Sequence, residues 1–412
     1  MSAKDHAVRV LMLLENQPYP RDVRVRNEAS TLVGAGYRVS VICPAAPGQP
    51  WHEVIDGVRV YRFPAPPEGN GLLSYLWEYG YSALAMFGIA LAVLFTRGFD
   101  VIHVHQPPDT SAIPAAFFKL IGKCYMLDHH DLSPELYVAR FGGEGNPRVR
   151  RALAWMEQVA LRLADHVIAT NESYKAVEMA RGHVPPDRIT VVRNGPRLQP
   201  VTERASEPAL PGSPTVIGYV GVMSTQDGVD YLLRALYHLR YDLDRADFTC
   251  TLVGSGSALP ELQALADELN LDACIEFTGW VDDPAQVVRH IMSMDICVAP
   301  EPANQYNNRS TAIKVMEYMA LGKPVVSFDL SEHRISAGPA ALYARPNDEL
   351  DMARQIAVLM DDPQRRAALG RLGMERIERE LAWPHQADAL LHAYEIVRGR
   401  GGGSPQSAVR DV

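Results

Sequence analysis

A polar run leads directly into a helical pattern in "NNRSTAIKVMEYMA", which begins at position 307. Ser310 is a favourable N-cap residue, so the next backbone N–H groups would lie unpaired in the first turn of a helix. These N–H groups are those of Thr311, Ala312 and Ile313. Together with the helix dipole they favour binding of an anion such as a phosphate. Lys314 would add a full positive charge to this anion site.

Glu317 follows Lys314 by three residues and therefore lies on the same helix face. Its carboxylate could accept two hydrogen bonds from a vicinal diol such as a ribose. The stretch then resembles one end of a nucleoside diphosphate site. The spacing alone equally fits a capped surface helix that carries a Lys/Glu pair.

Apolar runs rich in β-branched residues recur along the chain, each followed by a longer helical stretch. In the first half they predict strands at 8–15, 37–44, 58–63, 100–106, 123–130, 166–171 and 189–195. In the second half they predict strands at 215–221, 248–254, 274–280, 296–300, 323–329 and 341–344. Continuous apolar strands that alternate with helices indicate parallel sheets covered on both faces.

The interval between the two series is rich in proline and lacks apolar periodicity, as expected of a linker. We therefore predict two Rossmann-like, doubly wound α/β domains that face a central cleft. The first domain comprises 1–196 and is followed by a linker at 197–214 and a second domain at 215–380. A helix at 381–397 returns to the first domain, and a disordered tail occupies 398–412. Ligands in such folds bind at the carboxyl ends of the strands, where the polar run at 307 begins.

Two small-residue turns follow strands of the second domain. Gly221 ends the first of these strands and permits close approach of a ligand to the backbone. Gly254 and Gly256 in "VGSGS" have the same capacity toward a nucleotide. A GxG pair is also common in a plain turn between strand and helix, and that alternative stays open.

In the first domain, "LDHHDLSPE" places His130 and Asp131 at the end of a predicted strand. His130 could hydrogen-bond a sugar or assist an acceptor hydroxyl, and Asp131 could accept a proton or a hydroxyl hydrogen bond. His129 alternates to the opposite strand face and is expected to be structural. The sequence "YPRDVRVRNEA" offers Arg21 and Arg24 at a helix start, for contact with acceptor or phosphate or as solvated charges.

"VIHVHQPPD" places His103 and His105 on one face of a strand. A zinc site is conceivable here, but we find no third and fourth ligand at metal spacing and predict no metal. His105 is expected to face the acceptor, with His103 packed inside. No GxGxxG follows the first strand, which argues against a nicotinamide dehydrogenase.

The chain has 40 basic and 49 acidic residues, a net charge of −9, and this composition gives no case for nucleic acid binding. Residues 201–412 carry 19 basic and 30 acidic residues, so the excess of acid lies in the second half. The first 17 residues lack the pattern of a secretory signal, and the five cysteines form no CxxC pair. A cytoplasmic protein with reduced thiols is expected.

The segment 72–96 is strongly apolar, and from Tyr81 to Thr96 it contains no charged residue. This stretch is shorter than the roughly 20 residues that span a bilayer. It therefore predicts a buried core helix or a helix that contacts the inner face of the cell membrane peripherally, with a true membrane span as the third alternative.

Blocks spread over nearly the whole chain resemble the retaining GT-B glycosyltransferases of family 4. They include "DVIHVHQP", "ADHVIATNES", "VVRNG", "GYVGVMSTQDGVDYLLRAL", "IEFTGWV" and "KVMEYMALGKPVV". In its last block the chain resembles a subset of the family that is similar to the glycosyltransferases of bacterial surface polysaccharides. The resemblance implies that Glu317 binds the nucleotide ribose, that Val281 lies beside the base, and that His130 and Asp131 lie near the transferred sugar. It implies no metal cofactor.

Two positions depart from the family pattern. Many members have a glutamate where this chain has Arg309, and a lysine in the loop that here contains Gln226 and Asp227. Lys314 is then the candidate for the missing positive charge at the diphosphate.

The function implied is hexosyl transfer from a nucleotide sugar, with UDP as the expected carrier, to a hydroxyl of a glycan or polyprenyl-linked saccharide. Retention without a well-placed carboxylate nucleophile favours front-face displacement. Two alternatives remain at this point: a nucleotide-sugar epimerase of the same fold, and a non-catalytic subunit that binds nucleotide sugars.

Overall fold

The computed structural model describes residues 7–66, 72–197 and 212–401. The strands are Arg9–Leu13 (β1), Arg38–Ala45 (β2), His52–Ile55 (β3), Val58–Pro64 (β4), Val101–Gln106 (β5), Cys124–His129 (β6), His166–Ala169 (β7), Ile189–Val191 (β8), Thr215–Val220 (β9), Phe248–Val253 (β10), Ile275–Gly279 (β11), Ile296–Ala299 (β12), Val325–Phe328 (β13) and Ala341–Ala344 (β14). The α-helices are Val23–Gly34 (α1), Leu72–Thr96 (α2), Ala112–Leu120 (α3), Ser133–Arg140 (α4), Pro147–Leu163 (α5), Glu172–Gly182 (α6), Val229–Tyr237 (α7), Leu259–Glu268 (α8), Pro284–Ser293 (α9), Ile313–Ala320 (α10), Ser331–Ala337 (α11), Glu349–Asp361 (α12), Pro363–Arg376 (α13) and Trp383–Gly401 (α14).

The chain divides into two compact units. The first comprises the described residues of Met1–Pro134, Arg151–Arg193 and Gln386–Val412, and the second those of Glu135–Arg150 and Asn194–His385. The segment 135–150, which the sequence assigned to the first domain, thus groups with the second unit. Residues 198–211 of the expected linker lie outside the described residues.

The first unit is built on an eight-stranded sheet in the order β3-β4-β2-β1-β5-β6-β7-β8. All of its pairings are parallel except β3–β4. Every residue of β5 is buried, as expected for a central parallel strand covered on both faces. One side of the sheet packs against α2 and α3 around Phe99, Phe118 and Leu127.

The second unit has a six-stranded, fully parallel sheet in the order β11-β10-β9-β12-β13-β14. Leu232, Leu252 and Phe328 lie in the core on one face of this sheet, and Tyr318 and Met319 of α10 lie in the core on the other. Two doubly wound sheets confirm the fold class expected from the alternating pattern. Their strand order places the carboxyl ends of β9 and β12 side by side, at the point where the chain direction across the sheet reverses.

Strand β3 was missed by the sequence analysis, which expected only parallel strands. It pairs antiparallel with β4 through a hairpin whose turn is Asp56-Gly57, both with positive φ. An Asp-Gly pair is a strong hairpin signal, since both central residues of a type I′ turn require positive φ. Half-exposed β3 lacks the continuous apolar run that revealed the other strands.

Helix α14 begins in the second unit, where Trp383 N donates to Pro196 O. Its later residues belong to the first unit, where the buried Tyr394 hydroxyl lies 2.9 Å from His103 Nδ1. The helix continues to Gly401, so the prediction of disorder from residue 398 is wrong for its first residues. Residues 402–412 lie outside the described part of the chain.

Candidate functional site

The helix that carries Lys314 begins later than the sequence predicted. Ala312, and not Ser310, is the N-cap of α10, and its side chain makes no cap hydrogen bond. The backbone N–H of Ser310 is already bonded to Tyr306 O. The first helical N–H groups are consequently those of Ile313, Lys314 and Val315, of which Val315 N already donates to Ala312 O, whereas Thr311 and Ala312 precede the helix.

The polar run before α10 forms a series of turns held to the loop after β9. The buried Asn307 amide donates to Gln226 O and to Pro302 O, each over 2.9 Å. This link brings the start of α10 beside the loop in which the family lysine is expected. The Arg309 guanidinium lies 3.6 Å from the Glu135 carboxylate.

Lys314 is enclosed by polar groups from two neighbouring strand ends. Its Nζ lies 2.6 Å from Glu301 Oε1, which follows β12, and 3.5 Å from Asp227 Oδ1 in the loop after β9. It also donates to the Tyr219 hydroxyl over 3.0 Å and lies 4.5 Å from that ring's centre. The lysine side chain is 12% exposed. Lys314 is thus a paired ammonium rather than the free positive charge that the sequence analysis expected, and its contact with a diphosphate stays a prediction.

The charged groups around Lys314 favour its protonated form. Burial alone would lower the pKa of Lys314, but the neighbouring Glu301 carboxylate raises that pKa well above its usual value. Burial opposes ionisation of Glu301 as well, yet Lys314 holds the pKa of that carboxyl below its ordinary value. The pKa of Asp227 is raised by burial despite the lysine. Of the two carboxylates near Lys314, Asp227 therefore takes up a proton more readily than Glu301.

The small-residue turns bring the loops after β9 and β10 against each other. A Cβ on Gly254 would clash with Gly221 O, and one on Gly256 would clash with Met223 O. A Cβ on Gly221, which has φ 154°, would lie 3.3 Å from Lys314 Cε. Packing between loops therefore explains why Gly254 and Gly256 are glycines, whereas Gly221 makes room for the lysine side chain.

Glu317 and Val281 lie in partly buried positions of the same unit. Burial raises the pKa of Glu317, and the positive charge of Lys314 opposes that rise. Val281 follows β11 and packs partly against the apolar layer beneath α10. Its neighbour Trp280 is 58% exposed and donates from Nε1 to Asp282.

In the first unit, His130 is joined to Asp128 and His105. The parallel register of β5 and β6 sets His105 opposite Asp128. Asp128 Oδ2 lies 2.7 Å from His130 Nε2 and 3.2 Å from His105 Nδ1. His130 is 15% exposed while Asp128 and His105 are buried, so His130 is the one of these three side chains that solvent reaches. Asp131 follows at a half-buried position.

Arg24 is a buried partner of this cluster and was wrongly expected to contact acceptor or phosphate. Its guanidinium donates to both oxygens of Asp128 over 2.7 Å and lies 3.2 Å from Glu28 Oε1. Burial opposes ionisation of Asp128, but Arg24 holds the pKa of that carboxyl well below its usual range. The pKa of Glu28 is raised well above normal by burial and by Asp128. Arg21, by contrast, is exposed at the start of α1.

His105 was expected to face the acceptor, but at 1% exposure it supports His130 instead of meeting a ligand. The structure also corrects the search for metal ligands. Glu28 and Asp128 join His103 and His105, and one ligand atom from each lies within 4.8 Å of the others. Arg24 is already paired with both carboxyl groups of this set, so a cation would have to displace its guanidinium. The absence of a metal stays a prediction.

His129 takes part in a second buried network, as its opposite orientation implied. Its Nδ1 lies 3.1 Å from Glu178 Oε1 and its Nε2 lies 3.7 Å from Glu157. Burial alone would lower the pKa of this imidazole, but the two glutamates raise it well above normal. Asp109, after β5, is 5% exposed, and burial together with Glu157 raises its pKa to about 7.

Asp109 makes the stability of the protein depend on pH. Its folded pKa of about 7 exceeds the ordinary 3.8, so the folded state holds the proton more tightly. Stability from this group is therefore complete below pH 3.8 and is lost progressively as the pH rises to about 7, by on the order of 4 kcal/mol at most. We expect Asp109→Asn to flatten the fall in unfolding free energy between about pH 4 and 7, measured by urea denaturation.

Asp388→Asn, at an exposed position of α14, is the matched control and should leave that pH profile unchanged. Burial also raises the pKa of Glu15 to about 7, so some slope should persist in Asp109→Asn. A profile identical to that of the unmodified protein would show that Asp109 does not titrate in this range.

The sequence analysis missed four residues that organise the two clusters. They are Glu28, Asp128, Tyr219 and Glu301. Two of them carried a readable signal. Asp128 stands two residues before His130 and thus on the same side of the strand, and Glu301 directly follows an apolar strand at its carboxyl end. Glu28 lies within the regular pattern of α1 and Tyr219 within that of β9, so neither carried such a signal.

Comparison with known proteins places this architecture in a class. A family model described as glycosyl transferase 4-like domain matches residues 22–195, and one described as glycosyl transferases group 1 matches residues 214–362. Two doubly wound sheets with these matches define a glycosyltransferase of the GT-B fold. The chain belongs to the group 1, family 4 glycosyltransferases, as the sequence resemblance indicated.

Among curated relatives, a phosphatidyl-myo-inositol mannosyltransferase of Mycolicibacterium smegmatis is 27% identical over 93% of both chains. A D-inositol 3-phosphate glycosyltransferase of Corynebacterium jeikeium is 29% identical, and the match covers 54% of each chain.

Two solved structures share the fold at lower identity. Sucrose-phosphate synthase of Thermosynechococcus elongatus superposes with a TM-score of 0.78 at 19% identity, over 95% of this chain and 100% of that one. HepE of Anabaena, in complex with UDP and glucose, superposes with a TM-score of 0.70 at 17% identity, over 94% of this chain and 99% of that one.

Proposed function

We propose that this glycosyltransferase moves a hexosyl group from a UDP-sugar to a hydroxyl of a glycan or lipid-linked saccharide, with retention of anomeric configuration. The observation that carries the donor proposal is the enclosed ammonium of Lys314 beside Gly221, at the carboxyl ends of two neighbouring strands. The UDP complex of HepE and the lipid-linked acceptor named for the mannosyltransferase relative support the same assignment.

In this proposal the diphosphate lies at the start of α10. The N–H groups of its first turn and the Lys314 ammonium would stabilise the charge that develops on the leaving UDP. Glu301 competes with the phosphate for Lys314, so the ammonium is shared between them when donor binds. Glu317 would accept hydrogen bonds from the ribose hydroxyls, and Val281 with the Gly254–Gly256 turn would border the base.

The transfer step is proposed as a front-face displacement. The bond between the anomeric carbon and the UDP oxygen breaks, with its electron pair going to the diphosphate. The acceptor oxygen bonds to that carbon from the same face, and its proton passes to the departing phosphate oxygen. His130 and Asp131 would hydrogen-bond the sugar or the acceptor hydroxyl, with Asp128 holding the His130 ring. The helix N-terminus and the lysine take the role that a metal has elsewhere.

A panel of donors tests this proposal. Nucleotide release should occur from UDP-sugars more than from GDP- or dTDP-sugars, and it should depend on adding a membrane lipid or glycan extract as acceptor. The double variant Lys314→Met/Glu301→Gln should abolish release. Release from a GDP-sugar alone would replace the UDP assignment, and binding of UDP-sugars with no release under any acceptor condition would contradict the proposed transfer.

A further inference from the structure

Helices α2 and α3 lie side by side on one face of the first unit. The Phe87 ring of α2 is 5.1 Å from Phe117 and 5.7 Å from Phe118 of α3. The inner side of α2 belongs to the core, where Met86 and Val93 are at most 2% exposed. Because this side packs on the sheet, α2 lies along the domain as one of its covering helices.

The outer side of α2 is an exposed apolar stripe. Trp77, Leu84 and Phe95 are 62%, 73% and 84% exposed. Their separations of seven and eleven residues are close to whole helical turns, so the three side chains point the same way. The other exposed positions between Trp77 and Phe95 are Gly80, Gly88 and Ala92, none of which is polar.

Helix α3 extends this apolar surface. Ile113, Phe117, Leu120 and the following Ile121 are 69%, 41%, 86% and 48% exposed. They occur at i, i+4, i+7 and i+8, which again is one helix face. We use the term outer face for the seven apolar residues of the two stripes. They are Trp77, Leu84, Phe95, Ile113, Phe117, Leu120 and Ile121.

Basic residues gather where both helices end. The two ends meet through the Phe99 and Phe118 rings, 5.1 Å apart, and Lys123 Nζ lies 5.9 Å from the Phe99 ring. Arg9 and Lys119 are paired there with Asp100 and Asp165. Arg97 and Lys123 form no ion pair within 4 Å with any residue that the structure describes. The edge beside the outer face is thus positive, while the seven residues of the outer face are themselves uncharged.

We infer that the outer face of α2 and α3 docks on the surface of a bilayer that contains anionic lipid. An apolar helix face with an aromatic residue near one end and cations near the other matches the composition of interfacial helices. The cations at its edge would contact anionic headgroups while the seven side chains enter the acyl boundary. A protein partner fits less well, because interfaces require about one hydrogen bond per 100–200 Å² and these stripes offer none.

Vesicle sedimentation of the full chain tests this inference without any measurement of transfer. We expect binding to phosphatidylcholine vesicles with about 30% phosphatidylglycerol, weaker binding to phosphatidylcholine alone, and weakening by salt. Leu84→Glu with Leu120→Glu should lower vesicle affinity by more than about tenfold, because both side chains lose their apolar contact with lipid. Arg97→Gln with Lys123→Gln should remove only the preference for anionic lipid.

Ile335→Glu, at a residue that is 46% exposed in the second unit, is the matched control and should bind like the unmodified protein. Circular dichroism would establish that each variant folds. Absence of binding to both vesicle types would overturn the inference. So would a dimer in solution that the Leu84→Glu/Leu120→Glu variant dissociates, since the outer face would then join two copies of this chain.

Discussion

Replacing Lys314 should cost the protein most of its affinity for UDP. The enclosed ammonium is proposed to pair with the diphosphate, and a charge-assisted contact to phosphate in a buried site contributes on the order of 3 kcal/mol, or about 100-fold in affinity. The single variant Lys314→Met would also leave Glu301 and Asp227 without their cation, which costs roughly 3–5 kcal/mol of stability. The informative variant is therefore Lys314→Met with Glu301→Gln.

Calorimetric titration with UDP should compare this double variant with Glu301→Gln alone. The single Glu301→Gln variant keeps the ammonium and removes its strongest competitor, so we expect it to bind UDP at least as tightly as the unmodified protein. Arg334→Gln removes one exposed positive charge from the same unit and serves as the charge-matched control. Equal affinity of the double variant and Glu301→Gln would show that Lys314 does not contact the diphosphate.

Replacing His130 should lower the rate of transfer and leave donor binding nearly intact. Within its cluster, His130 combines partial exposure to solvent with a fixed orientation, because Asp128 Oδ2 lies 2.7 Å from its Nε2. Loss of a positioned histidine that handles a proton or a hydroxyl typically costs about 10²–10⁴-fold in turnover. We expect His130→Ala to show this loss in kcat for glycosyl transfer, with an unchanged Kd for UDP.

His392→Ala, on the exposed surface of α14, is the matched control and should retain full turnover. The turnover of Asp128→Asn should lie between those of His130→Ala and His392→Ala. Its amide keeps a hydrogen-bonding group beside His130 but weakens the pairing with Arg24. Full activity of His130→Ala would exclude this residue from the reaction and leave Asp131 as the candidate polar group at the end of β6.

Several features of the site were readable from local sequence. The alternation of apolar strands with helices indicated two parallel sheets because buried parallel strands need apolar side chains on both faces. The same pattern located Lys314 and Glu317 on one helix and His130 at a strand end. The resemblance to family 4 glycosyltransferases followed from blocks such as "KVMEYMALGKPVV", and the family comparisons confirmed it.

The tertiary structure decided which charges meet. Arg24 is paired with Asp128, which is 104 residues away, and Lys314 contacts Tyr219 at a separation of 95 residues. Such pairs depend on strand order and on the depth at which each side chain is buried, and neither has a local sequence signal. The start of α10 at Ile313 likewise depended on Asn307, whose bonds to the loop after β9 hold the preceding residues in turns. The sequence therefore determined the architecture and the candidate groups, while long-range packing determined which of them are free to meet a ligand.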